Sequence, residues 1–136
     1  MKIGEICTRI VSCAFRTTTA DEAARLMAED HVGDLVVVDE VGGSRRPVGI
    51  VTDRDLVLRV MSEGLRADQT TVERIMSRDL VTVGAEQGPY ETVERMRAKG
   101  VRRVVVIDAK GDLAGVVALF QGWAKEGDAS ALLRQR

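Results

Sequence analysis

The chain has 136 residues, 45% of them apolar, and its 20 Lys and Arg are balanced by 21 Asp and Glu. That size suits one ordinary domain or two very small ones and buries roughly 70% of the unfolded surface, which excludes a disordered tail. A net charge of −1 argues against the basic excess of a nucleic-acid binder, and one Trp, one Tyr and two Phe leave little for base stacking. Cys7, Cys13 and His31 are too few for a four-ligand zinc site. Two thiols in a chain this long do not form a disulfide scaffold, and they read as small buried side chains in a reducing cytosol. No basic-then-apolar leader and no apolar run near 18 residues is present, so the expectation is a soluble cytoplasmic protein with no membrane segment.

In chain order, "GEIC" is a short lead-in turn or helix and a brief strand follows near Val11–Cys13. A helix comes next. Thr19 and Glu22 have capping-box spacing, and Ala20, Ala23, Ala24 and Met27 make its apolar face. His31 at its end reads as a C-terminal cap or surface residue rather than a pH sensor. "LVVV" is a β-branched run suited to a strand covered on both faces, and "VGIV" is its partner. "EVGGSRRP" between them is turn material. A second helix starts near Asp53, with Leu56, Val57, Val60 and Met61 on one side. "SEGLRADQT" is a linker.

A shift of 69 positions then aligns the chain with itself, without a gap, from Ile6 to Asp39, and pairs such as Met27/Met96, Val37/Val106 and Asp39/Asp108 are identical. "TVERIM" is the second lead-in, with Thr70 and Glu73 at capping-box spacing. A short strand near Leu80–Val83 follows, then a helix with Pro89 in its first turn and Val93 and Met96 on its apolar face. "VVVI", the turn "AKGD" and "LAGVVAL" repeat the strand pair, with Gly115 matching Gly49. The last helix, through "FQGWAKEG", is less clear. Each repeat is thus β-α-β-β-α. One such unit has too little apolar surface to stand alone, so the expected fold is α+β: tandem repeats packed sheet to sheet with pseudo-twofold symmetry and paired clefts. The expected boundaries are 1–62 for the first repeat, 63–70 for the linker, 71–125 for the second repeat and 126–136 for a C-terminal tail.

The doubled unit, "VVVD" before a glycine-rich turn, and "GIVTDRD" together resemble the cystathionine-β-synthase (CBS) domain pair, or Bateman module, in its small stand-alone bacterial form. The resemblance covers roughly residues 1–125. Its motif is glycine, two apolar residues, Thr or Ser, two variable residues and Asp, here Gly49 to Asp55. It implies a non-catalytic regulatory module that binds AMP, ADP, ATP or S-adenosylmethionine between the repeats, signals energy state, and associates as a homodimer through its helices. No obligatory cofactor and no resident metal are implied. Magnesium would enter only with the phosphates, because Asp53 and Asp55 alone are too few ligands. The alternative is a dimerisation or docking module with a vestigial nucleotide site, acting on an enzyme or transporter. An enzyme would need an activated nucleophile or base, and none is found in the sequence.

Within that resemblance, Asp55 lies three residues after Thr52 on the first turn of the helix, so both side chains can face one cleft. A carboxylate can accept from both hydroxyls of a ribose, and the Thr52 hydroxyl can support it. The competing reading makes both residues helix caps. Arg102 and Arg103 are matched to phosphates by their planar forks, or are two solvated arginines. Their counterparts are Gly33, which permits close backbone approach, and Asp34, which repels phosphate. Ser77, Thr82 and Val101 are the expected surroundings of an adenine, or are simply strand and turn residues. In the second repeat Thr52 aligns with Ala118, Arg54 with Phe120 and Asp55 with Gln121, so one competent site per chain is expected and the second cleft is degenerate. Phe120 and Trp123 are expected to pack against the opposite repeat or a dimer mate.

Overall fold

The computed structural model describes residues 1–119 and the backbone of 133–134. Its elements divide between two units, Val11–Leu80 and Met1–Ile10 with the chain from Val81 onward. These units are offset from the sequence repeats, because each takes its lead-in from the other repeat.

In the first unit, β1 (Cys13–Ala14) leads through α2 (Ala20–Asp30) to β2 (Asp34–Val41), and β3 (Ser44–Thr52) returns beside it. The sheet order is β1-β2-β3, parallel then antiparallel. A parallel pair needs a crossover, and α2 supplies it. Asp34 to Val38 are all buried, as a run of β-branched residues covered on both faces requires. Leu35 and Val37 join Ala20, Ala23 and Met27 of α2 in one apolar cluster with Val51, Val60, Val72 and Ile75. Ala24, expected on that apolar face, is exposed, and the half-buried Leu26 packs against the cluster instead. The strands also run through most of "EVGGSRRP". Gly42 and Gly43 both have positive φ, 58° and 83°, which a two-residue hairpin between twisted strands needs. The sheet therefore extends to Val41 and Ser44, and a bulge near Val48 accommodates Pro47.

Helix α2 ends where His31 adopts the left-handed conformation, φ 54°, as its C-cap. Its N-terminus lacks the expected box. The Thr19 hydroxyl donates to Asp21 rather than accepting from the helix, and holds that carboxyl below its usual range. After β3 the chain enters α3 (Asp53–Leu56), which continues as a π-helical turn, Val57–Met61. Val60 is buried and Leu56 half-buried, whereas Val57 and Met61, expected on the same side, are 51% and 74% exposed.

The unit is completed by α4 (Val72–Ile75). Thr71 is its N-cap, and the expected Thr70–Glu73 box is absent. Thr70 is buried and donates to the Arg66 carbonyl, while Glu73 accepts from Arg16. The same Arg16 guanidinium forks onto Asp39 of β2 at 2.8 and 3.1 Å, and holds the Asp39 carboxyl below its usual range. Backbone bonds from Val72 to Thr18, Glu73 to Arg16 and Ala20 to Thr70 complete the attachment. Beyond α4, Ser77 and Ile50 exchange both backbone hydrogen bonds, at 2.8 and 3.0 Å. Gly49 lies beneath that crossing, where a Cβ would stand 2.7 Å from the Ser77 carbonyl and 2.8 Å from Met76 sulfur.

The second unit repeats this plan. It contains α1 (Ile3–Ile6), β4 (Thr82–Gly84), α5 (Pro89–Lys99), β5 (Arg103–Ile107), β6 (Leu113–Leu119) and β7 (Leu133–Arg134), with sheet order β4-β5-β6-β7. Pro89 occupies the first turn of α5 as expected. Val93 and Met96 pack with Ile3, Cys7, Val83, Val104, Val106 and Val117. Here α1 is the foreign lead-in. Thr8 and Val116 exchange backbone bonds at 3.0 and 3.1 Å, and a Cβ on Gly115 would stand 2.5 Å from Cys7 sulfur. Cys7 and Cys13 are free thiols, and burial pushes both upward in pKa.

Two outcomes are expected. Gly49→Ala should destabilise the fold by about 1–3 kcal/mol, because backbone and a packed Met76 must both move; urea unfolding measures this. The Arg16 guanidinium holds the folded-state Asp39 carboxyl below the usual carboxylate range. Its contribution is thus present above about pH 4 and is lost as pH falls through the folded value. The stability difference between wild type and Arg16→Met should be full at neutral pH and should shrink in denaturant titrations as pH falls through the lowered Asp39 value.

Candidate functional site

Strand β3 ends at Thr52, and the chain turns directly into α3. Thr52 Oγ1 accepts from the Asp55 N–H at 3.1 Å, and Asp55 Oδ2 accepts from the Thr52 N–H at 2.9 Å. This is a reciprocal capping box, with Asp in the place more often taken by Glu or Gln. The capping reading of Thr52 and Asp55 is therefore realised. It leaves chemistry over, because a carboxylate has about four acceptor positions and the cap uses one.

Asp55 Oδ1 faces Arg59, one turn along, at 3.6 Å from Nε, and the Asp55 side chain is 17% exposed. Asp53 is more exposed. Its N–H donates to the Gly33 carbonyl, and its carboxylate folds back on the Arg54 N–H. Its Oδ2 would lie 3.2 Å from a Cβ on Gly33, so Gly33 leaves the room in which Asp53 sits. Asp34, 3% exposed, is the register partner of Thr52. Ser77 is held beside this motif by its backbone bridge to Ile50, two residues before Thr52.

The other sequence candidates lie in the second unit. Thr82 is half-buried on β4, in register with Val105, and its carbonyl accepts from Arg95. Val101 follows α5 and bonds back to the Met96 carbonyl. Arg102 is exposed, while Arg103 opens β5 opposite Ala118 with its Nε buried. Ala118 is buried on β6. Phe120, Gln121 and Trp123 lie outside the described residues. The structure thus gathers Thr52, Asp53, Asp55 and Ser77 in one unit, and Thr82, Val101, Arg102 and Arg103 in the other. Sequence reading passed over Arg59. Its i,i+4 spacing from Asp55 was the available signal. Among the described residues, no group of three or more His, Cys, Asp or Glu side chains is placed to hold a metal ion, and no helix is long and apolar enough to cross a membrane.

A family model described as the CBS domain matches residues 3–62 and 72–120. The chain belongs to the CBS domain family. Its two matches make it a CBS pair. The CBS domain-containing protein YhcV of Bacillus subtilis is 36% identical over 101 residues, covering 74% of this chain and 68% of that protein. An uncharacterized protein of Methanopyrus kandleri, MK0525, is 37% identical over 119 residues and 88% of this chain, and this CBS pair spans 59% of its length. Among solved structures, the CBS domain protein PAE2072 from Pyrobaculum aerophilum, complexed with AMP, superposes with a TM-score of 0.75 at 29% identity over 87% of each chain.

Asp55→Ala would open the Thr52–Asp55 capping box. Removing the acceptor for the Thr52 N–H should cost about 1 kcal/mol, and Asp55→Asn, which retains an acceptor oxygen, should cost less than half of that. Thermal unfolding of the two variants side by side measures the difference.

Proposed function

We propose that this CBS pair is a non-catalytic regulatory module that binds one adenosine-containing ligand (AMP, ADP, ATP or S-adenosylmethionine) between its repeats. The observation that carries this is Asp55. It is fixed by its cap at the end of β3, it retains open acceptor positions on a partly exposed carboxylate, and Ser77 is brought alongside. A vicinal diol has two O–H donors to fill such positions. AMP in the similar Pyrobaculum aerophilum protein supports the ligand class.

In this reading Asp55 receives the ribose, Thr52 backs it, and Asp53 stands at the mouth. Ser77 stands beside the adenine, and magnesium enters only as a companion of phosphate. Ribose recognition is common to all four ligands, so the base and diol define the class. The chain would act as a homodimer, a role supported by the exposed apolar side chains Val57, Leu58 and Met61. An enzyme or transporter would read its state.

Calorimetric titration of the four ligands, with Asp55→Asn alongside, tests the proposal. Saturable binding at one site per chain, weakened at least tenfold in a variant that keeps its cap, is the expected result; tenfold corresponds to about 1.4 kcal/mol. No binding by any of the four, from a chain that sedimentation shows to be a folded dimer, would overturn it in favour of a docking module.

A further inference from the structure

We propose that Arg59 is the positioning residue of this site: it holds the Asp55 carboxylate toward a bound diol and ties it to the lead-in segment that carries Ser77. The inference rests on the ribose reading of Asp55 and adds a residue and a connection to it. Arg59 makes two contacts at once. Its Nε lies 3.6 Å from Asp55 Oδ1, and its Nη1 donates to the Ile75 carbonyl at 3.3 Å. Ile75 is the last residue of α4, whose terminal carbonyls have no partner within the helix. A planar guanidinium can face a carboxylate with one nitrogen and a carbonyl with another, whereas an ammonium is a point donor.

These contacts close a ring. Thr52 bonds Asp55, Asp55 faces Arg59, Arg59 bonds Ile75, and Ser77 bonds Ile50, two residues before Thr52. Of the links in that ring, Arg59 alone joins the helix side to the lead-in side by a side chain. The acceptor count fits as well. Of about four acceptor positions on Asp55, the Thr52 N–H takes one and Arg59 faces another, which leaves two for the two hydroxyls of a vicinal diol. Arg59 stands on the π-helical turn, a rare geometry that recurs at functional sites. It borders a cavity of about 310 Å³, shared with Glu63, Leu65, Arg74 and Ile75. The guanidinium is thus anchored at Asp55 and Ile75 while its outer side remains open.

The test compares AMP with 2′-deoxy-AMP by calorimetry in wild type, Arg59→Met, Arg59→Lys, Asp55→Asn and the Arg59→Met/Asp55→Asn double variant. If Arg59 positions the carboxylate for the diol, Arg59→Met weakens AMP by about 3- to 10-fold, the worth of one hydrogen bond, and leaves 2′-deoxy-AMP nearly unchanged. The preference for AMP then falls toward that of Asp55→Asn, Arg59→Lys restores it only in part, and the double variant is no worse than Asp55→Asn alone. In the ligand-free chain, Arg59→Met also speeds hydrogen exchange at the Ser77 amide, with the overall unfolding transition retained. Equal weakening of both nucleotides would reduce Arg59 to a structural role and overturn the inference. So would unchanged AMP binding in Arg59→Met beside a weakened Asp55→Asn, which leaves the ribose reading of Asp55 intact. Unchanged binding in Asp55→Asn, or no AMP binding at all, removes the ribose reading and Arg59's role with it.

Discussion

The fold depends on a backbone crossing that admits no side chain. Ile50 of β3 and Ser77 of the second lead-in exchange both hydrogen bonds directly above Gly49, and any Cβ there would meet the Ser77 carbonyl and Met76 sulfur. The crossing places a segment from beyond the linker against the end of the strand that carries Thr52 and, one turn later, Asp55. The same device recurs where Thr8 and Val116 cross over Gly115. A buried backbone donor or acceptor left unpaired is costly, so two mutual bonds at a site without steric slack fix the register of lead-in and strand together.

In the proposed function the same atoms serve structure and recognition. A capping box satisfies two orphan N–H groups, and so fixes the side chains of Thr52 and Asp55 before any ligand arrives. Preorganisation of this kind reduces the ordering cost of binding. It also explains why the competing readings of the motif, cap or ligand-binding residue, were not exclusive. One acceptor position closes the helix, another faces Arg59, and the rest stay open. Asp53, by contrast, spends its carboxylate on the adjacent Arg54 N–H and stands apart from that arrangement.

Much of this was legible because it is local and periodic. The β-branched runs at Leu35–Val38 and Val104–Ile107, Pro89 in the first turn of α5, and the duplicated glycines all express short-range chemistry. What sequence reading misplaced was decided by tertiary competition. Thr70 and Glu73 have the spacing of a capping box, but the Arg66 carbonyl and the Arg16 guanidinium claimed them first. Thr19 turned to Asp21. Val57 and Met61 face outward while Leu56 and Val60 face the cluster, since only that narrower side of the helix meets the core. Arg59 went unnoticed because its second partner, the Ile75 carbonyl, is 16 residues away in sequence and has no side-chain signature.

The offset between sequence repeats and folded units has a consequence for synthesis on the ribosome. The unit Val11–Leu80 is contiguous and can close as soon as its last strand-crossing segment emerges. The other unit pairs residues 1–10 with strands made more than a hundred residues later, since Thr8 bonds Val116. Residues 1–10 therefore meet their strand partners only after the middle of the chain has been made. Contacts of such long sequence separation form late and slowly. The apolar side chains of Ile3, Ile6 and Cys7 are accordingly the part of a nascent chain with longest exposure to chaperones.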